Sequence, residues 1–361
     1  MSASQLDILA LEPFYGGARR AMLETIVRCS RHRWTVLKLP PRRMERRLTV
    51  AANWFAEQLT RHWVGRVDLL FTSEAMNLTS LFQLMPQVAR KPSVVYFHDN
   101  QLPDAGANAD APLNLVNLNT AAAATEIWFN SAWHQKAFVD RAAAVLERHE
   151  ELGGLEALWE VQRKMVLVVP PVDLGAVHAA AAARHKRDPA ALFVETRGGD
   201  VGLLNGALAI LRERGRAVRL ITVGPVAALP ADVPRQALPE TDDAAHARGL
   251  CEAGVIVSVK PGAASDFLVV RGLAAGCRPV LPASGFYPEL LPAGLQRSAM
   301  YDVAPAPLAD RIADAIDAAS LPPAATSAGD VKSALKPFDA IATCREIDEK
   351  FEELVWVRAL D

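Results

Sequence analysis

This sequence lacks paired cysteines, long apolar runs and a leader-like start. Its four cysteines, Cys29, Cys251, Cys277 and Cys344, are scattered without a metal-ligand spacing, so neither a disulfide framework nor a zinc site is predicted. No apolar stretch approaches the ~20 residues that span a bilayer. The first residues, MSASQLD, show no basic segment followed by an apolar run. We therefore expect a cytoplasmic protein that does not insert into membranes.

A strong net charge and an Asp-x-Asp sequence are also missing. The formal net charge of -2 argues against a general polyanion-binding protein. Residues 1–66, however, hold 12 Lys or Arg against 5 Asp or Glu, a net of +7, which predicts a phosphate-bearing partner near the first part of the chain. The absence of an Asp-x-Asp sequence predicts a site that works without a metal ion.

The composition and pattern that are present favour a two-domain α/β protein. A chain of 361 residues with 51% hydrophobic and 22% charged residues predicts a soluble globular protein with two domains. Strand-like and helix-like segments alternate in both halves, which is typical of parallel sheets with helices on both faces. The prolines of VVPPVDL, residues 168–174, mark a boundary. We predict domains at 1–170 and 171–338, a loop at 321–329 and a closing helix within 339–361.

Residues 6–24, LDILALEPFYGGARRAMLE, read as a buried strand, a glycine turn and the start of a helix. Glycines let the backbone approach a ligand closely, and a helix start presents unpaired N–H groups. Gly16 and Gly17 are therefore candidates for ligand contact. The alternative is that this glycine pair only closes a tight turn.

Three further segments carry polar side chains at predicted strand ends or on a helix. SVVYFHDNQ delivers His98, Asp99, Asn100 and Gln101 together after a strand, and SEAMNLTSL follows an earlier strand. A lone histidine is more often structural, but four hydrogen-bonding side chains at one strand end favour a site. The segment PPRRMERR predicts a basic helix face, which is either a phosphate contact or an ordinary solvated face.

Six segments together point to a family. They are EPFYGGARRAML, LPPRRMERR, TSEAMNL, VVYFHDNQL, FNSAWH and LAAGCRPVLPASGFYPELL. Their order and spacing resemble the tRNA-queuosine α-mannosyltransferase family, within the two-domain GT-B glycosyltransferases. The resemblance covers most of the first domain and residues 272–290 of the second.

This resemblance implies a GT-B fold with two facing Rossmann-like domains and a cleft between them. It implies a nucleotide-sugar donor on the second domain, GDP-mannose in the family, and an acceptor on the first, queuosine in a tRNA anticodon. The expected activity is that of a retaining hexosyltransferase with no cofactor besides the nucleotide-sugar co-substrate.

The predicted site residues divide into three sets. His98 and Asp99 are the predicted catalytic residues. The predicted acceptor-binding residues are Gly16, Gly17, Arg42, Arg43, Arg47, Asn100, Gln101 and Asn117. The predicted donor-binding residues are Arg197, Lys260, Arg271, Tyr287 and Glu289.

The donor half departs from the family pattern. Retaining enzymes of this class usually carry two glutamates separated by seven residues, and the matching positions here are Ala263 and Arg271. The segment VETRGGDVG keeps Arg197 but has Gly202 where the family has a lysine. Lys260 or Arg271 can replace a lost cation. Neither can accept a hydrogen bond from a ribose hydroxyl, and an unmatched buried group costs ~1 to 3 kcal/mol.

Three hypotheses follow from this contrast. The first is an active sugar transferase with an altered donor site. The second is a non-catalytic glycosyltransferase-like protein that binds tRNA or an active partner. The third is a nucleotide-dependent enzyme of another kind on the same fold, because fold does not fix chemistry.

Overall fold

The computed structural model describes residues 5–63, 65–103, 114–148, 154–183, 185–321 and 325–358. These residues form two units. The first unit consists of two segments, the chain up to Pro171 and the chain from Ala340 onward. The second unit is Val172–Asp339. Within the described ranges, each unit is built on a six-stranded parallel sheet.

The first unit alternates strands and helices. Its strands are β1 (Asp7–Glu12), β2 (Arg33–Lys38), β3 (Leu69–Ser73), β4 (Ser93–Phe97), β5 (Glu126–Phe129) and β6 (Met165–Leu167). Its helices are α1 (Gly17–Cys29), α2 (Met44–Arg61), α3 (Leu78–Leu84), α4 (Pro86–Ala89), α5 (Asn114–Ala123), α6 (Ala132–Leu146) and α7 (Gly154–Gln162). The strand order is β2-β1-β3-β4-β5-β6, so β3 lies between β1 and β4.

The central strands are apolar because helices cover both faces of the sheet. Every residue of β3 and β4 is buried. Leu9, Leu70 and Val95 lie in one core cluster with Phe55 of α2 and Phe138 of α6. Since all strands run in one direction, their carboxyl ends meet at one edge of the sheet, where ligands bind in open α/β folds.

The second unit repeats this architecture. Its helices are α8 (Gly175–Ala182), α9 (Val201–Glu213), α10 (Asp243–Glu252), α11 (Phe267–Ala275), α12 (Tyr287–Leu290), α13 (Ala293–Ala299), α14 (Pro305–Ala319) and α15 (Ala325–Leu335). Its strands are β7 (Asp188–Glu195), β8 (Arg219–Val223), β9 (Arg235–Leu238), β10 (Ala253–Val257), β11 (Arg278–Pro282) and β12 (Met300–Tyr301). The strand order is β12-β11-β10-β7-β8-β9.

The last described helix, α16 (Ala340–Arg358), belongs to the first unit. Its buried Asp348 accepts hydrogen bonds from Ser30 Oγ (2.6 Å) and from the backbone N–H of Arg31 (2.9 Å). The ring of Phe351 stacks on Trp128, with ring centroids 5.1 Å apart. The helix therefore contributes side chains to the core of the first unit.

The predicted α/β class is confirmed by the two parallel sheets. The predicted loop at 321–329 is wrong in part, because the backbone is helical from Ala325; residues 322–324 lie outside the described residues. The sequence analysis also missed β9 and β12. No helix among the described residues is long and apolar enough to cross a membrane.

Candidate functional site

Four adjacent strands of the first unit, β1, β3, β4 and β5, end in polar residues at the same edge of the sheet. Glu12 ends β1, Glu74 follows β3, His98 follows β4 and Asn130 follows β5. Because the sheet order is β1-β3-β4-β5, these residues come from neighbouring strands although they are far apart in the chain. We call this set of strand ends the first-sheet edge.

The glycine turn closes one side of this edge. Tyr15 N–H donates to Leu39 O (2.9 Å), and Leu39 N–H donates to Glu12 O (3.0 Å), so the turn is held against the end of β2. A Cβ atom at Gly16 would lie 2.5 Å from Cγ of Pro41, so only glycine allows this approach. Gly17 has φ of +54°, a left-handed conformation that glycine adopts without strain.

The turn after β4 is held by backbone contacts. Glu74 Oε2 accepts from the backbone N–H of His98 (3.2 Å), and Asn130 Nδ2 donates to His98 O (2.9 Å). The His98 ring lies 4.7 Å from the ring of Tyr96. Asp99 is exposed, and its Oδ1 accepts from Asn100 N–H (2.8 Å). His98 and Asp99 thus lie next to each other on a fixed loop.

Two predicted acceptor-binding side chains instead shape this loop. Asn117 is fully buried; its Oδ1 accepts from Gln101 N–H (2.6 Å) and its Nδ2 donates to Glu74 O (3.0 Å). Asn100 is buried, and its Oδ1 accepts from Leu102 N–H (3.2 Å). The carbonyl and amide groups of Asn117 are therefore both engaged within the protein, and its predicted contact with the acceptor stays a prediction.

The sequence analysis missed three charged residues at this edge. Glu12 is 4% exposed and Glu74 is 0% exposed, and Arg19 of α1 forms an ion pair with Glu74. The Ser73 hydroxyl donates to Glu12 Oε1 (3.0 Å). The signal was present, since Glu12 directly ends a buried strand and Glu74 lies in the flagged SEAMNLTSL segment. What was lacking was the strand order that brings them together.

Burial controls the protonation of these groups. It raises the pKa of Glu12 to about 7, against the opposing charge of Arg19. It also raises the pKa of Glu74, again opposed by Arg19. Burial lowers the pKa of His98 well below its ordinary value, and the charge of Arg19 adds to that effect. At neutral pH the His98 ring is therefore uncharged.

His134 of α6 is a second neutral histidine at this edge. Burial lowers its pKa to about 3. Its Nδ1 lies 2.9 Å from Asn130 Oδ1, and because the Asn130 amide nitrogen donates to His98 O, this oxygen accepts and Nδ1 carries the proton. Nε2 is buried and has no hydrogen-bond partner among the described residues.

The predicted basic face spans the turn before α2 and the first turn of that helix. Arg42 and Arg43 are exposed, and Arg43 has the left-handed φ of +53° at the residue before the helix. Arg46 is exposed on the first turn of α2. Arg47 is half-buried and donates through Nη2 to Pro40 O (3.0 Å), so it holds the preceding turn in place. Three of these arginines are therefore directed to solvent and one is structural.

The corresponding edge of the second sheet carries cations that are already paired. Lys260, after β10, forms an ion pair with Glu195 at the end of β7. Arg197 forms an ion pair with Glu240, and both side chains are largely exposed. Burial lowers the pKa of Lys260, but the nearby carboxylates of Asp266 and Glu195 raise it by more than burial lowers it. The pKa is therefore above its ordinary value, and the ammonium group stays charged.

A buried polar network lies beside Ala263. Asp266 is the cap residue of α11; its Oδ2 accepts from Ser258 Oγ (3.1 Å) and from the Tyr287 hydroxyl (3.0 Å). Tyr287 is fully buried, and its hydroxyl also contacts Ser258. The hydroxyl of Tyr287 thus anchors α12 to the start of α11, and its predicted contact with the donor stays a prediction.

The two remaining predicted donor residues lie on helices. Arg271 of α11 is largely buried and donates through Nη1 to Asp243 Oδ1 (3.0 Å) on α10. Glu289 of α12 is exposed. Neither Ala263 nor Arg271 supplies a carboxylate, and within the described residues no group of three His, Cys, Asp or Glu side chains is placed to hold a metal ion.

A groove of about 590 Å³ lies elsewhere in the second unit. Its lining includes Arg297, Tyr301 and Arg311. None of the predicted donor-binding residues lines it. Tyr301 donates to Ser258 O (2.8 Å) and Arg311 Nε donates to Met300 O (3.0 Å), so these polar groups are engaged within the protein.

Comparison with known proteins gives the first unit a family resemblance. Residues 7–172 match the family model described as tRNA-queuosine alpha-mannosyltransferase N-terminal. The tRNA-queuosine alpha-mannosyltransferase of Drosophila melanogaster is 27% identical over 177 residues, which cover 48% of this chain and 46% of the relative. The match thus spans about half the length of that curated relative.

Solved structures resemble the whole chain in fold at low sequence identity. The catalytic domain of starch synthase IV from Arabidopsis thaliana, bound to ADP and acarbose, gives a TM-score of 0.67 at 10% identity, covering 99% of this chain and 100% of that one. HepE from Anabaena, in complex with UDP, gives 0.65 at 16% identity, covering 96% and 100%. A glycosyltransferase from Rickettsia africae gives 0.60 at 12% identity, covering 98% and 99%. These neighbours are GT-B glycosyltransferases, and the likeness extends to the fold alone.

Proposed function

We propose that this chain, which resembles the tRNA-queuosine α-mannosyltransferase family, is a glycosyltransferase that moves a mannose-like hexose from a nucleotide sugar to queuosine in tRNA. The first unit holds the acceptor and the second holds the donor, with GDP-mannose as the first candidate. A test of this assignment needs both the donor and the acceptor substrate, because the family match covers only the first unit.

One observation carries the proposal. The residues that match the family in the first unit come from separate segments of the chain, and the fold brings them to one edge of one sheet. There the glycine turn follows β1, and the neutral His98 and the exposed Asp99 follow β4, with β3 between the two strands. The carboxyl edge of a parallel sheet is where open α/β folds bind ligands.

In the proposed reaction, the bond between the anomeric carbon of the sugar and the diphosphate oxygen breaks, and a bond to the acceptor oxygen forms. The acceptor proton passes to the departing diphosphate. Arg197 and Lys260 stabilise the charge that develops on that diphosphate. Because each is paired with a carboxylate, Glu240 and Glu195 must give up these cations when the diphosphate binds.

A second candidate function is favoured by the same donor edge. Ala263 and Arg271 stand at the positions of the two family glutamates, and Arg197 and Lys260 are both neutralised by carboxylates of this chain. These features fit a non-catalytic protein that keeps the first unit to bind tRNA. Nucleotide binding separates this candidate from the transferase.

The first experiment is therefore a thermal-shift titration with GDP, UDP, ADP and their sugar conjugates. A ligand at about 100 times its dissociation constant adds ~2.7 kcal/mol to the free energy of unfolding, which a melting curve detects. We expect stabilisation by one nucleotide class. Stabilisation by none of them would reject the transferase and leave tRNA binding as the function.

The decisive experiment is turnover. The protein is incubated with queuosine-containing tRNA and the stabilising nucleotide sugar, and the nucleosides are analysed by mass spectrometry for an added hexose. We expect His98→Ala to lower the rate by about 100-fold or more, as loss of a positioned polar group in a reacting site does. His178→Ala, at an exposed position on α8, is the matched control and should keep wild-type turnover.

A further inference from the structure

Two buried carboxyl groups lie side by side at the first-sheet edge, on strands that are neighbours in the sheet. Leu11 of β1 pairs with Thr72 of β3, so the residues that follow, Glu12 and Ser73, are also adjacent. Ser73 Oγ donates to Glu12 Oε1 (3.0 Å), and the next residue is Glu74. Both glutamates are closed off from solvent.

Each carboxyl group holds the backbone of a different loop. Glu12 Oε1 accepts from the N–H of Phe14 (2.7 Å), which shapes the glycine turn. Glu74 Oε2 accepts from the N–H of His98 (3.2 Å), which shapes the loop after β4. The two loops are therefore linked through the Glu12–Ser73 and Arg19–Glu74 contacts.

Charge is not balanced in this cluster. Arg19 is the ion-pair partner of Glu74, and Glu12 has no ion-pair partner among the described residues. An isolated buried carboxylate is costly, so such a group takes up a proton. The charged groups that act directly on Glu12 are Arg19 of α1 and Glu74 after β3. Asp99 and His98 after β4 and His134 of α6 interact with Arg19.

None of the histidines supplies the missing positive charge, because burial keeps both neutral. Lys38 of β2 lies opposite Glu12 in the sheet register, but its Nζ is placed over the Tyr15 ring, 4.1 Å from the centroid. One donor does remain: Arg19 Nε is buried and has no hydrogen-bond partner within the described residues. An ionised Glu12 can take this donor.

We propose that Glu12 is a positioning residue whose protonation state sets the geometry of the glycine turn and, through Ser73 and the Arg19–Glu74 ion pair, of the His98 loop. When Glu12 loses its proton, its carboxylate competes with Glu74 for Arg19. The Phe14 N–H is affected directly, because it donates to Glu12, and the His98 N–H is affected through Glu74, to which it donates. The description of this edge as an acceptor site rests on the proposed function, whereas the proton-linked coupling of the two loops does not.

The test follows the two backbone amides by NMR in deuterated, ¹⁵N-labelled protein between about pH 5.5 and 8.5. Phe14 and His98 amides should titrate together, with a shared midpoint near the pKa of about 7 that burial gives Glu12. Glu12→Gln should abolish both titrations. Glu57→Gln, at an exposed position on α2, is the matched control and should leave both unchanged.

Two further variants test the route of the coupling. Glu74→Gln removes a negative neighbour of Glu12 and leaves Arg19 for it, so the Phe14 midpoint should fall. Ser73→Ala removes the hydroxyl contact and should weaken the His98 response while Phe14 still titrates. Because each variant is read separately, failure of one to fold leaves the other test intact.

Different midpoints for Phe14 and His98, or titration that persists in Glu12→Gln, would overturn the proposal. Activity gives a separate reading. If turnover occurs, the pH profile of kcat/KM for the acceptor should show an inflection at the amide midpoint in wild type and none in Glu12→Gln. Coupled amides without any turnover would reject the proposed function and keep this inference.

Discussion

Glu12 ends a strand whose other buried residues are apolar. Ionisation of this one carboxyl group should therefore change the free energy of unfolding of the first unit. Its pKa is raised from the ordinary 4.5 to about 7 because the carboxyl group is buried. The folded protein therefore binds more protons than the unfolded chain between these two values. Stability from this group is present at low pH and is lost as the pH rises through about 7.

Glu12→Gln should remove this pH dependence. Relative to wild type, the variant should gain about 2 to 4 kcal/mol in free energy of unfolding between pH 4.5 and pH 8, because it carries no charge to bury. Urea unfolding across this pH range measures the difference. A constant difference at all pH values would show that Glu12 is not the titrating group.

The two glycines of the turn should respond differently to alanine. At Gly16 a Cβ atom would overlap Pro41, so Gly16→Ala should shift the turn and cost about 1 to 3 kcal/mol. At Gly17 no described atom lies within 4 Å, so the cost is the left-handed backbone alone, about 1 kcal/mol. Unfolding curves of both variants compare the costs, and acceptor turnover should fall more for Gly16→Ala. Equal turnover in the two variants would contradict a role for the Gly16–Pro41 contact.

What the sequence could predict at this scale was the polar residue that follows an apolar run. His98 and the glycine turn were found in that way. Glu12 and Glu74 were not assigned as site residues, because a glutamate at a strand end is common and only its neighbours show that it is buried with another carboxyl group. The burial of a side chain is equally hidden, so the sequence did not show that Tyr287 and Asn117 are fully buried.

Among the elements, the start of α2 is the feature best placed to meet a phosphate backbone. Arg42, Arg43 and Arg46 are exposed there. Cations that contact phosphates release counterions, which makes binding depend on salt.

Replacing these three arginines by alanine should weaken binding of tRNA and reduce its salt dependence. If each contacts one phosphate of a single-stranded loop, the slope of log K against log salt should fall by roughly 2. Filter binding at several salt concentrations measures this slope. The matched control is Arg61→Ala at the other end of α2, where the guanidinium pairs with Glu57. The same loss in the control would mean that overall charge matters and the position of the arginines does not.

The order of the strands explains why some elements and contacts escaped the sequence analysis. Alternating apolar runs predicted most strands of both sheets. β9 was missed because its residues, RQAL, are largely exposed and polar, which is normal for an edge strand. The position of β3 between β1 and β4 depends on packing across the whole sheet, so the sequence did not reveal that Glu74 would lie between Glu12 and His98.

For the molecule as a whole, the first unit is built from two separate parts of the chain. Phe351 of α16 packs against Trp34, Phe71 and Trp128 of the first sheet. The second unit, Val172–Asp339, is continuous. The first unit therefore depends on residues that follow the second.

A chain that stops after Asp339 should lose the first unit and keep the second. The truncation removes a ring that is fully buried in the aromatic cluster and also Asp348, the acceptor for Ser30 and Arg31. Removing one buried aromatic side chain alone costs about 3 to 5 kcal/mol. Hydrogen exchange should show fast exchange in β1–β5 and unchanged protection in β7 and β10. Equal protection of the first unit in both chains would contradict a structural role for α16.

The split first unit also sets an order of events at the ribosome. Between Pro171 and Ala340 lie the 168 residues of the second unit, which take roughly 10 to 30 s to synthesise at about 5 to 20 residues per second. During that interval the glycine turn, the arginines and His98 have already been made, yet the aromatic cluster on the first sheet lacks Phe351. The nascent first unit therefore exposes apolar surface while the second unit is completed, and a chaperone that binds such surface would meet the protein at this stage.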